Sequence, residues 1–152
     1  MTSLFLVDSD ATDRLGRALA ITRPPLAVVH LHGDLGAGKS TLARALLRAL
    51  GVEGAIRSPT YTLVERYPLD DGSEAWHLDL YRIGDAAELD FLGLDDATAS
   101  LWLVEWPERG AGGLPPTDLI VRLAMEQQGR RVVLEGVSEA GRRWVDRLSF
   151  TG

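Results

Sequence analysis

"HGDLGAGKST", residues 32–41, decides the fold. It fits the pattern GxxxxGK[ST], with Gly33, Gly38, Lys39 and Ser40 in the required places. The nearly unbroken apolar run "LAVVHLH", residues 26–32, precedes it and reads as a strand buried on both faces, as in parallel sheets. After it, Leu42, Ala45, Leu46, Ala49 and Leu50 recur at helical spacing with Arg44 and Arg48 outside, and Gly51 sits where a left-handed cap belongs. Strand, glycine loop and helix in that order make a phosphate cradle: the loop amides converge on phosphate oxygens and the helix presents its positive dipole end. The candidate nucleotide-binding set is therefore Gly33, Asp34, Leu35, Gly36, Ala37, Gly38, Lys39, Ser40 and Thr41.

Lys39 is the only lysine in a chain whose other 15 basic residues are arginine. A compact, flexible ammonium fits between β- and γ-phosphates where the broad guanidinium fork does not. Ser40 adds a hydroxyl suited to Mg²⁺. Guanine-specific relatives of such loops read the base with an Asn/Thr-Lys-x-Asp segment, and the sole lysine is already committed to phosphate, so ATP is the expected nucleotide.

The 152 residues, 45% of them hydrophobic, suffice for one core, so one domain over residues 1–152 is expected. Cysteine is absent and no run approaches the roughly 20 apolar residues of a membrane span. The N-terminal run from Leu4 to Val7, followed by Asp8 and Asp10, is too short and acidic for a secretory signal. The expectation is a cytoplasmic protein without a membrane partner. A net charge of −6 opposes unaided binding to a nucleic-acid backbone, so any contact with RNA should run through a partner.

Outward from the loop, Ser9 or Asp10 is placed to cap a helix ending at Ile21, with Leu15, Ala18, Leu19 and Thr22 on one face. Asp-Asp-Gly between alternating segments predicts a hairpin from Thr62 to Leu80. Residues 85–94 read as a short helix, 100–106 as a buried strand and 108–118 as a surface loop. A second hairpin turns over Glu126–Gly129, and Ser138 with Ala140 to Leu148 forms a closing helix. Strands alternating with helices predict an α/β fold, a three-layer sandwich of the P-loop nucleotide-binding kind. Its central sheet should be mainly parallel, with antiparallel strands added at one edge.

Phosphoryl transfer needs a carboxylate near Mg²⁺, normally at the end of a strand beside the phosphate loop. Glu105 ends an apolar strand and is the preferred metal carboxylate. Asp79 fits either a site carboxylate or the wet face of a hairpin. "SPTYT", residues 58–62, fits either a plain loop entering a strand or a segment in which Thr60 and Thr62 sense the γ-phosphate. Trp106 fits either core or a ring beside the nucleotide. His30, His32 and His77 lack metal-like spacing and read as structural.

Taken together, "GDLGAGKST", "SPTYTLVERY", "HLDLYR", "ELDFLGLDD" and "LVEWPERG" resemble the TsaE family, formerly YjeE, small ATPases of bacterial tRNA threonylcarbamoyladenosine synthesis. The resemblance runs from about residue 9 to residue 148. It implies that Lys39 and Ser40 bind phosphate and Mg²⁺, that Glu105 coordinates the metal, and that Asp79 and Thr60 support hydrolysis. It also implies that Trp106 lies close to the nucleotide, that Thr12 approaches the base, and that Arg130 closes the other side. The partners it implies are TsaD and TsaB, with tRNA reached only through their complex, and an ATPase that is weak alone and active in the complex. Two other classes compete: a small-molecule kinase, disfavoured because residues 85–99 are too short and acidic for a phosphate-clamping lid, and a nucleotide-gated binding protein without turnover. Phe91 and Leu92 suit either partner contact or core packing.

Overall fold

The computed structural model describes residues 1–60, 62–84, 87–89 and 98–150. In chain order the elements are β1 (Thr2–Leu6), α1 (Ser9–Thr22), β2 (Ala27–His32), α2 (Lys39–Ala49), β3 (Val64–Pro68), β4 (Glu74–Asp79) and β5 (Ala99–Glu105). A 3-10 helix (Pro107–Gly110), β6 (Leu119–Glu126), β7 (Gly129–Gly136) and α3 (Glu139–Arg147) follow. They build one seven-stranded sheet in the order β1-β7-β6-β2-β5-β4-β3. Its central four strands, β6, β2, β5 and β4, run parallel.

The fold is α/β with a parallel centre, as read from the sequence. Antiparallel strands flank both edges rather than one: β3 pairs with β4 on one side, and β7 and β1 extend the sheet beyond β6 on the other. Both hairpins and the closing helix are present, the latter capped by Ser138, whose Oγ accepts from the Gly141 amide at 2.9 Å. The first helix starts on a different cap. Asp8 holds the extended backbone of an N-cap and its Oδ1 accepts from the Ala11 amide at 2.9 Å, whereas Ser9 and Asp10 lie inside the helix. Strand β1 is an element that the sequence pattern does not predict. The helix expected over 85–94 falls largely outside the described residues, as do Phe91 and Leu92.

Strand alternation divides the core. Val29, Leu31, Leu101, Leu103, Leu119 and Val121 face α1, α2 and Trp144 of α3 in the larger cluster. Trp76, Leu78 and Val104 point to the opposite side, where Leu80, Ile83, Leu89 and the partly buried Leu114 form the thin outer layer. Trp144 is fully buried and its Nε1 donates to the Leu19 carbonyl at 3.2 Å, which ties α3 to α1. Among the described residues no helix is long and apolar enough to cross a membrane.

Helices α1 and α2 touch at Gly16, where a Cβ would stand 2.8 Å from the Ala45 carbonyl carbon and the Leu46 nitrogen. Those are backbone atoms, so relief requires moving a helix. Alanine has the better helix propensity by about 1 kcal/mol, but overpacking costs about 1–3 kcal/mol. Gly16→Ala is therefore expected to lower the urea midpoint at unchanged m-value; an unchanged or higher midpoint would refute the close contact.

Candidate functional site

The glycine loop joins the C-terminal end of central β2 to the N-terminus of α2, the place where open α/β sheets bind ligands. Two glycines there are compelled. Gly33 has φ +152° and a Cβ on it would stand 2.6 Å from the Leu123 carbonyl oxygen; Gly38 has φ +105° and serves as the N-cap of α2 with no side-chain cap. The first amides of α2 have no intrahelical acceptor and no carboxylate in the first turn to satisfy them.

Lys39, 5% exposed, folds back over this loop. Its ammonium donates to the Gly33 carbonyl, reaches the Asp34 carbonyl at 3.4 Å and lies 4.4 Å from the Trp106 ring centre. Among the described residues no carboxylate pairs with it within 4.0 Å. Carbonyls and a π-face satisfy its protons but leave its positive charge without a counter-ion.

The counterpart is a pair of acids. Parallel register sets Asp79 of β4 beside Glu105 of β5, and Glu105 beside Leu31 of β2. Both carboxylates thus sit at strand ends, on the helix side of the sheet. Ser40 Oγ donates to Glu105 Oε2 at 2.9 Å, and His77 Nε2 lies 2.6 Å from the same oxygen. Burial pushes the Glu105 carboxyl up, but the hydrogen bond and charge of His77, the Ser40 hydroxyl and Lys39 outweigh it and hold the group below the ordinary glutamate value. Asp79 moves the other way: burial raises its carboxyl, the Tyr81 amide at 3.1 Å opposes this only in part, and Glu105 adds repulsion.

Three further segments close the site. Trp106 follows Glu105 with left-handed backbone, φ +56°, a conformation that costs a non-glycine residue about 1–2 kcal/mol. It turns the indole under Lys39 and against Tyr81, ring centres 5.0 Å apart. Arg130, from the second hairpin, donates through Nε to the Ala37 carbonyl at 2.8 Å and crosses Gly38, where a Cβ would lie 2.6 Å from that nitrogen. Thr60 bonds Ser58 at 2.7 Å, and its segment is anchored to the acids because the Asp79 amide donates to the Leu63 carbonyl at 2.9 Å.

Leu35, Gly36, Gly38, Lys39, Ser40, Thr41, Thr60, Asp79, Glu105, Trp106 and Arg130 line one cleft of about 190 Å³. Gly33, Asp34 and Ala37 stand behind it and contribute carbonyls to Lys39 and Arg130. Thr12 does not line it: at 2% exposure it is buried in α1, its hydroxyl 3.5 Å from the Asp8 carbonyl. Wider grooves of about 350 Å³ between α1 and α2 and about 530 Å³ beside α3 lack the glycine loop and both acids, so chemistry rather than volume selects the site. Among the described residues no group of three or more His, Cys, Asp or Glu side chains gathers around a metal position. The hydroxyl of Ser40 and the carboxylate of Glu105 are hard oxygens of the kind Mg²⁺ takes alongside substrate phosphates and water.

His77 reads from the sequence only as structural, yet it touches the principal acid. Its spacing from Asp79 held the signal, because residues i and i+2 of a strand share a face. His30 and His32 occupy the other face of β2; burial pushes His30 down to about 4 and lowers His32, so both are neutral at pH 7.

The family model of the threonylcarbamoyl adenosine biosynthesis protein TsaE matches residues 6–133. The chain belongs to the TsaE family. The tRNA threonylcarbamoyladenosine biosynthesis protein TsaE of Haemophilus influenzae is 42% identical over 124 residues, covering 80% of this chain and 78% of the relative. The Aquifex aeolicus TsaE is 35% identical over 135 residues, covering 88% and 94%. The crystal structure of Bacillus subtilis YdiB superposes with a TM-score of 0.77 at 25% identity, covering 95% of this chain and 91% of that one.

The raised Asp79 carboxyl gives a stability test. A folded pKa above the unfolded value of 3.8 means that ionised Asp79 costs stability at every pH above the folded pKa, a cost that fades as pH falls towards 3.8. Asp79→Asn should raise the denaturation midpoint at pH 7, with a gain that shrinks on acidification. A lower midpoint at pH 7 would contradict the assignment.

Proposed function

We propose that this chain is a Mg²⁺-dependent ATPase that acts on the TsaB-TsaD complex during threonylcarbamoyl modification of adenosine 37 in tRNA, in the cytoplasm. One observation carries the reading: an ammonium with no carboxylate paired to it among the described residues, the uncapped start of α2 and two strand-end acids meet in one cleft. Family membership supports the biosynthetic role.

In this reading the loop amides and Lys39 take the β- and γ-phosphates of ATP. Ser40 and Glu105 would hold Mg²⁺, and a divalent cation there would supply neutralisation of phosphate charge. Water attacks the γ-phosphorus and ADP leaves. Asp79, raised by its surroundings, takes the water's proton, and the Thr60 hydroxyl orients that water. Trp106 and Arg130 flank the nucleotide. Hydrolysis is slow in the isolated chain and quickens in the complex, where ATP turnover resets TsaB-TsaD between rounds.

Lys39→Ala removes a charge-assisted contact of about 1.5–3 kcal/mol and should weaken ATP binding about 10- to 100-fold in equilibrium dialysis. Glu105→Gln should keep binding within about tenfold while turnover falls about 100-fold. Parent-like turnover in Glu105→Gln would remove the metal role. Reconstitution with TsaB and TsaD tests the biological half: multiple rounds of modification should require this chain with Lys39 intact, and equal rounds without it would end the proposal. With a net charge of −6 the isolated chain should bind tRNA weakly in a filter assay, and tight, salt-resistant retention would contradict the indirect role.

A further inference from the structure

Glu105 Oε2 carries two contacts at once, Ser40 Oγ at 2.9 Å and His77 Nε2 at 2.6 Å. An ionised carboxylate offers only acceptors, so both neighbours must donate to it. The Ser40 proton is then spent on Glu105, which leaves the hydroxyl lone pairs for a cation. Glu105 Oε1 has no hydrogen-bond partner among the described residues and is the carboxylate oxygen suited to the same task. His77 is 2% exposed, comes from β4 rather than from the loop, and does not line the cleft. Its Nδ1 is buried without a hydrogen-bond partner among the described residues, so the imidazole's polar contact is with this one oxygen. A buried imidazole donor behind a carboxylate is the arrangement by which groups outside the ligand set fix ligand orientation.

We propose that His77 is a positioning residue for the magnesium site: by donating from Nε2 to Glu105 Oε2 it fixes the rotamer of that carboxylate and the direction of the Ser40 hydroxyl. This rests on the ATPase reading above and extends it by naming a residue that acts on the metal without touching it. Removing the donor leaves Oε2 short of a partner in a buried setting. The carboxylate then turns, the Ser40 hydroxyl is freed to rotate, and the cation loses its prepared oxygens. Contacts to phosphate made by the loop amides and Lys39 are untouched.

The test is calorimetric titration of ATP into the parent protein, His77→Leu and His77→Gln, each with Mg²⁺ and with EDTA. Glutamine can offer an amide N–H near the position of Nε2, whereas leucine cannot. In EDTA all three should bind ATP within about twofold of one another. The factor by which Mg²⁺ tightens binding should fall about 10- to 100-fold in His77→Leu, the usual cost of losing such an outer partner, and should return in His77→Gln. An undiminished Mg²⁺ factor in His77→Leu would overturn the proposal. So would an equal loss of affinity in EDTA and in Mg²⁺, which would mark the imidazole as mere packing. If the parent binds no ATP under either condition, the ATPase reading falls and this inference with it; if the parent shows the Mg²⁺ gain and His77→Leu keeps it, only this inference falls. Should His77→Leu fail to fold, a long-range ¹⁵N–¹H spectrum of the parent decides instead: the proposal requires a proton on His77 Nε2, and a bare Nε2 overturns it.

Discussion

The 2.9 Å hydrogen bond between Ser40 and Glu105 joins two parts of the chain 65 residues apart. It fastens the first turn of α2 to the end of β5, and the geometry of the cleft depends on that join. With it, the start of a helix, the sole lysine and two acids occupy one small volume. The sheet register makes it possible: β5 lies between β2 and β4, so a residue at its end sits beside the glycine loop on one side and beside Asp79 on the other.

Neighbouring carboxylates that differ in environment can do different work. Glu105 receives two hydrogen bonds and is held below its ordinary pKa, as befits an anion that stays charged beside a cation. Asp79 has one backbone donor and a like charge next to it, and is raised. The split follows from position: one acid faces the first turn of α2 and His77, while the other stands a strand further out. Lys39 is folded onto carbonyls of its own loop, which satisfies its donors and leaves its charge available to an incoming anion.

Local features were legible in the sequence. The glycine loop, both hairpins and the Ser138 cap rest on short-range spacing that the sequence displays. Long-range choices were not. β1 is a short strand whose partner is β7, with Leu6 opposite Arg130, and nothing within five residues announces such a pairing. Asp8, Ser9 and Asp10 are all good caps, and only the backbone decides between them. Residues Thr60, Trp106 and Arg130, gathered by resemblance, line the cleft because a loop, a left-handed turn and a distant hairpin bring them there. The contact of His77 with Glu105 spans 28 residues: the spacing from Asp79 puts His77 on the face of the site, but only the parallel register sets β5 beside it.

The central requirement is that the cleft accept a nucleoside triphosphate. Isothermal titration of the unmodified chain with ATP and Mg²⁺ measures this directly. Saturable binding near one-to-one, displaced by ADP and not by GTP at equal concentration, is the predicted result. The absence of any association, alone and in the presence of TsaB and TsaD, would contradict the account at its base.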